Sequence, residues 1–278
     1  MVASAIRNRT HRLSSSVISR LSHDHAIMNR IQHPTESSKE VFAKPTFNLE
    51  SGLFSASTSH DGSRVVFGPK HYEANYAYPL IVWLHAPKSD ERQLLRIMPT
   101  VSLRNYVAVA PRGFCLGGVA SDRPTYGWLQ TEGQILGAEH RIFEAVEAAK
   151  RKFHIAPDRV FLAGFGSGGT MAFRVAMNDP SRFAGVLSIC GGFPRGRSPS
   201  PFSRLTQARR LPVFLAVARD SREYPPEEAC ENLRLFHAAG ISIVLRQYPC
   251  GHQLTEQMLR DVDRWIIEQI TAPARPRE

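Results

Sequence analysis

Residues 158–170 read Asp158-Arg159-Val160-Phe161-Leu162-Ala163-Gly164-Phe165-Gly166-Ser167-Gly168-Gly169-Thr170. The unbroken apolar run Val160–Ala163 suits a strand covered on both faces. The glycines behind it permit a turn too tight for side chains. This stretch therefore predicts a buried strand that passes through a Gly-rich turn into a helix.

The unit recurs along the chain. Tyr78–Leu84, Tyr106–Ala110, Ala184–Ile189, Val213–Val217 and Ile241–Leu245 are further apolar runs of strand length. Helical stripes lie between them: Ala138, Ile142, Ala145, Val146 and Ala149 form one, and Leu254, Met258, Val262, Trp265 and Ile266 form the last. Alternating strands and helices predict an α/β fold with a mainly parallel central sheet and helices on both faces. Sites in such sheets lie beyond the carboxyl ends of the strands. Loops 85–90, 111–133, 164–169, 218–226 and 250–253 should converge there.

A chain of 278 residues, 42% hydrophobic, can bury one large core, so one domain is expected. No apolar run approaches the ~18 residues that cross a bilayer, and a soluble protein is expected. The formal charge is +10, concentrated in two places. Residues 1–45 hold seven Lys/Arg against three Asp/Glu, and residues 193–210 hold five Arg and no acid. The expected division is a basic, disordered extension at 1–46, a domain at 47–272 carrying a basic loop or small cap at 193–210, and a tail at 273–278. Because the charge sits in these segments, no nucleic-acid partner is expected, although a basic adaptor that meets acidic partners through them stays open.

Cys115, Cys190, Cys230 and Cys250 lack metal-ligand spacing, so free thiols and no metal are expected. No secretory signal opens the chain. The first residues are rich in Arg and Ser, with no acid before Asp24. They read as an organellar transit segment, as a disordered extension, or as sequence ahead of a start at Met28. Cytoplasmic and organellar locations both stay open, and the oligomeric state is not legible.

A strand, a tight Gly-rich turn and a helix are the setting of a hydrolase nucleophile elbow. The segment Val160-Phe161-Leu162-Ala163-Gly164-Phe165-Gly166-Ser167-Gly168-Gly169 resembles the phospholipase/carboxylesterase family of α/β-hydrolases, esterases of the acyl-protein thioesterase and polyhydroxybutyrate depolymerase type. Family members carry Leu-Ala-Gly-Phe-Ser-x-Gly-Gly here. The likeness spans about residues 50–270. It includes Trp83-Leu84-His85-Ala86 followed by Asp90-Glu91-Arg92-Gln93-Leu94, then Ala110-Pro111-Arg112-Gly113, Tyr126-Gly127-Trp128 and Tyr248-Pro249-Cys250-Gly251-His252. It implies an α/β-hydrolase fold and cofactor-free hydrolysis of a small carboxylic ester or thioester.

Ungapped alignment puts Gly164 and Gly168 at the small positions of the elbow, Gly166 at the nucleophile and Ser167 one residue late. The other register makes Ser167 the nucleophile, with bulky Phe165 where crowding is worst. Both flanks match without an insertion only in the first. The resemblance puts the catalytic base at His252. It leaves the acid between Asp220, Ser221 and Glu223: counting back from Pro225 selects Ser221, and a one-residue bulge selects Asp220. One oxyanion donor should be the backbone N–H at Pro87, which has none. Lys88 or Ser89 is the expected substitute, with the backbone around Gly168 as the other donor. His85 is expected to line or brace its loop, and Trp128 to line the pocket or fill the core.

Two functions follow. The first is a serine esterase with Ser167 as nucleophile, His252 as base and Asp220 as orienter. The second is a degraded relative that binds without efficient catalysis. Gly164, Gly166 and Gly169 also satisfy a dinucleotide-binding spacing, but no carboxylate ends the next strand at Cys190-Gly191-Gly192. Cys250, close to His252, is expected to be a packing residue.

Overall fold

The computed structural model describes residues 30–32, 54–57, 63–116, 124–194 and 204–272. In chain order the elements are β1 (Arg30–Gln32), β2 (Phe54–Ser57), β3 (Arg64–Phe67), β4 (Tyr78–Leu84), α1 (Gln93–Val101) and β5 (Val107–Pro111). The short β6 (Phe114–Cys115) and β7 (Tyr126–Gly127) precede α2 (Glu132–Lys152), β8 (Ile155–Phe165) and α3 (Ser167–Asn178). The chain continues through β9 (Gly185–Ile189), α4 (Leu205–Ala208), β10 (Val213–Ala218), α5 (Pro226–Ala238), β11 (Ile243–Tyr248) and α6 (Glu256–Thr271).

Nine strands form one sheet in the order β2-β3-β5-β4-β8-β9-β10-β11-β1. Pairings β2–β3 and β3–β5 are antiparallel, and every other pairing is parallel. The α/β expectation holds in full. All seven residues of β4 are buried because both faces are covered. Leu80, Val82 and Leu84 face the layer of α2, α3 and α5, while Ile81 and Trp83 face that of α1 and α6. The period-2 alternation of a strand is present but hidden, since both of its phases are apolar.

Differences from expectation are local. The strand expected at Ile241–Leu245 runs from Ile243 to Tyr248, because the Ile241 N–H donates to Phe236 O (2.9 Å) and closes the end of α5. Arg30–Gln32, inside the extension expected to be disordered, adds an edge strand parallel to β11. Within the basic segment 193–210, α4 is one helical turn, and residues 195–203 lie outside the described residues. No helix among the described residues is long and apolar enough to cross a membrane.

A buried ion pair ties β11 to α6, the two elements that flank the loop of His252. Arg246 Nη1 lies 2.7 Å from Asp261 Oδ1, with both side chains under a tenth exposed. The Tyr248 hydroxyl donates to Asp261 Oδ2 at 2.7 Å. Removing one member would leave the other charged and unpaired in the interior. Asp261→Ala is therefore expected to cost about 3–5 kcal/mol of unfolding free energy by urea titration, and a loss under about 1 kcal/mol would show that the pair is effectively solvated.

Candidate active site

The turn between β8 and α3 is set by close packing. A Cβ added at Gly168 would lie 2.3 Å from Leu84 O, and one at Gly164 would lie 2.5 Å from the Gly168 carbonyl carbon. Neither site admits a side chain, so these two glycines are the small residues of the elbow. Between them Gly166 adopts φ +57°, ψ −125°, a conformation that strains any L side chain. Its N–H donates to Ile189 O (2.9 Å), and its carbonyl accepts from the Thr170 N–H (3.0 Å), which starts α3. A Cβ at Gly166 would stand 3.4 Å from His252 Nε2. Gly166 therefore holds the apex of the turn, with the clamped Gly164 and Gly168 two residues to either side.

Ser167 follows as the first residue of α3. Its Oγ is buried without a hydrogen-bond partner. It lines, with Gly166, Thr170, Cys190, Glu223 and His252, a cleft of about 250 Å3. Ser167 and His252 thus share a cleft, with no hydrogen bond between them.

His252 sits in the loop after β11. Its Nδ1 is 3.0 Å from Ser221 Oγ, and Ser221 Oγ also accepts from the Tyr224 N–H at 3.1 Å. On the cleft side, Glu223 Oε2 lies 3.1 Å from Nε2 but off the axis of a hydrogen bond. Burial holds the imidazole pKa below its ordinary value, against the opposing pull of Glu223.

Asp220 is not brought to His252. Its carboxylate is exposed and pairs with Arg219 at 3.1 Å. The physical reason is the turn after β10: the Asp220 N–H donates to Cys250 O and the Ser221 N–H to Ala218 O, so Ser221 turns inward without the bulge that Asp220 would need. A serine thus stands where the resemblance implies an acid.

The oxyanion side is also altered. Pro87 packs against the apex, its Cδ 3.1 Å from a Cβ built on Gly166. Lys88, at φ +60°, spends its N–H on Tyr126 O (2.9 Å), and the Ser89 N–H donates to Ala86 O (3.2 Å). Neither replaces the missing donor. What is left are the first N–H groups of α3, including Gly168, which have no acceptor inside the helix.

His85 and Trp128 do not line this cleft. His85 is fully buried, its Nδ1 2.8 Å from Ala86 O while its Nε2 accepts from the Gly113 N–H at 2.9 Å. These bonds fix one neutral tautomer, and burial lowers the pKa further. Trp128 packs on His85 and Phe114 in the core. Both are braces for the loops around the site.

The cleft's remaining walls are Gly192 and Phe193 after β9, Tyr224 in the loop after β10, and Glu228 in the first turn of α5. Cys190 there is a non-glycine residue at φ +50°, a strained position. Its thiol is pushed well above the ordinary range by burial, and burial also raises that of Cys250. Both stay protonated at neutral pH. Among the described residues no group of three His, Cys, Asp or Glu side chains is arranged to hold a metal.

Both histidine pKa values lie below the unfolded value of 6.5. Unfolded chains then bind more protons below that pH, so the stability from these neutral imidazoles is present above pH 6.5 and lost as pH falls through it. The urea midpoint is expected to drop between about pH 7.5 and about pH 5, with a shallower drop in His85→Asn. A flat midpoint in the parent chain would contradict the buried neutral assignment.

The profile of the phospholipase/carboxylesterase family matches residues 125–270. Acyl-protein thioesterase 1 of Gibberella zeae is 22% identical over 139 residues, 46% of this chain and 59% of that protein. The chain spans 38–62% of the length of the curated relatives it matches. A carboxylesterase structure from Mesorhizobium loti superposes with a TM-score of 0.62 at 17% identity, covering 77% of this chain and 99% of that one. TT1662 from Thermus thermophilus gives 0.61 at 18%, covering 79% and 98%. The strand order, the glycine-clamped elbow and the matched profile together make this chain a member of the phospholipase/carboxylesterase family, with the α/β-hydrolase fold.

Proposed function

We propose that this chain keeps its family's ester-binding cleft but does not form an acyl-enzyme at the elbow, acting as a non-acylating binder of a small carboxylic ester or thioester. The observation that carries this reading is Gly166 at the strained apex, facing His252 Nε2 with no side chain. Acyl transfer needs a nucleophile within roughly 2.6–3.2 Å of its base. Two further changes act in the same direction. Proline at 87 removes an oxyanion donor, a loss that typically costs about 100- to 1000-fold in turnover. Serine at 221 removes the charge that would stabilise an imidazolium during proton transfer.

A second reading, serine esterase chemistry from Ser167, is favoured by one observation: its Oγ is buried, unpartnered and in the same cleft as His252. In that reading Ser167 attacks the ester carbonyl, His252 takes its proton, and the alcohol or thiol leaves from the tetrahedral intermediate.

Exposure to a fluorophosphonate probe, followed by intact mass, separates the two. No adduct is expected on the parent chain. A slow adduct is expected on Gly166→Ser, faster in Gly166→Ser/Ser221→Asp, at a stability cost of about 1–3 kcal/mol for the strained apex. A parent adduct lost in Ser167→Ala and slowed in His252→Ala would overturn the non-acylating reading in favour of the second.

A further inference from the structure

The contacts around His252 bear on which ring nitrogen carries its proton, and they favour the reverse of what a general base requires. A carboxylate oxygen only accepts. Glu223 Oε2, 3.1 Å from Nε2, would repel a lone pair there and attract a proton. The neutral imidazole carries one proton, which this contact places on Nε2. Nδ1 is then an acceptor, and Ser221 Oγ–H at 3.0 Å is its donor. The same Oγ accepts from the Tyr224 N–H, so its lone pair and its proton are both used consistently. An acid at position 221 would demand the opposite: a proton on Nδ1 and a lone pair on Nε2.

We infer that Ser221 fixes His252 as an Nε2–H donor aimed at the empty apex, making the cleft a receptor for a neutral carbonyl oxygen rather than for a carboxylate. Burial supports the neutral state of the imidazole at physiological pH. Nε2 points at the space above Gly166 and is itself buried without a hydrogen-bonding acceptor. Ser167 Oγ is a second polar atom buried and unpartnered in the same cleft. A carbonyl oxygen placed over Gly166 would take up such donors. Charge decides against an anion. Glu223 lines the cleft with its carboxylate beside Nε2, Cys190 is an uncharged thiol, and no Lys or Arg is among the described residues that line it. The ligand is therefore an uncharged ester, thioester or amide, and its hydrolysed acid is rejected.

The ligand part rests on the non-acylating reading, whereas the tautomer does not. Imidazole 15N shifts of the full-length labelled protein report the tautomer directly. The expected result at neutral pH is an Nε2–H tautomer for His252, which switches to Nδ1–H in Ser221→Asp. An Nδ1–H tautomer in the parent chain would overturn the assignment, even should the variant fail to fold. Titration with butyramide is expected to move the His252 Nε2 signal, with butyrate binding roughly tenfold more weakly or worse. Equal or tighter binding of butyrate, or no response to butyramide, would overturn the neutral-carbonyl receptor. A fluorophosphonate adduct at Ser167 together with an Nε2–H tautomer would remove the non-acylating reading and leave the tautomer standing.

Discussion

The site depends on one steric constraint, the approach of the first turn of α3 to the end of β4. Gly168 sits so close to the carbonyls of Leu84 and His85 that a methyl group would fall 2.3 Å and 2.5 Å from their oxygens. That contact fixes where α3 starts, and so forces the chain to reverse at residue 166 with positive φ. It also brings Ala86-Pro87 over the apex and the β11–α6 loop against it. The buried Arg246–Asp261 pair holds that last loop from behind. The scaffold is thus built to present whatever side chain residue 166 carries.

This chain carries none there, and the surrounding changes are consistent with one another. A side chain at the apex of such a turn costs of order 1–3 kcal/mol in backbone strain, which catalysis must justify. Glycine removes that cost. Pro87 then fits against the bare apex, and a proline is free of penalty where no oxyanion needs its N–H. In the proposed reading, Ser221 in the acid's place reverses the proton of a neutral imidazole, a tautomer of no use to a base but suited to donating a hydrogen bond. The three positions lie in different loops and meet only here.

Legibility differed between framework and site. The run Tyr78–Leu84 announced a doubly covered strand, and its ends match the observed β4. The stripes around Ala138–Ala149 and Leu254–Ile266 announced two helices whose marked residues are all buried. Gly164 and Gly168 could be identified as the clamped pair because tight turns tolerate so few residues. By contrast, Asp220 and Ser221 differ by one position, and only the hydrogen bonds from Asp220 N–H to Cys250 O and from Ser221 N–H to Ala218 O decide which turns inward. Lys88 was a reasonable donor until its N–H was found committed to Tyr126 O. Trp128 gave no sign of which face of its loop was the core.

Sequence alone determined the six parallel strands at the centre of the sheet, the family resemblance and the glycine between Gly164 and Gly168, because these rest on local pattern and on steric exclusions that a single residue type reveals. Tertiary structure decided the partners of His252, the loss of both substitute oxyanion donors, and the acidic lining that Glu223 and Glu228 give the cleft. Those are meetings between loops distant in sequence. Their outcome turns on ångström-scale hydrogen-bond geometry, which no local pattern encodes.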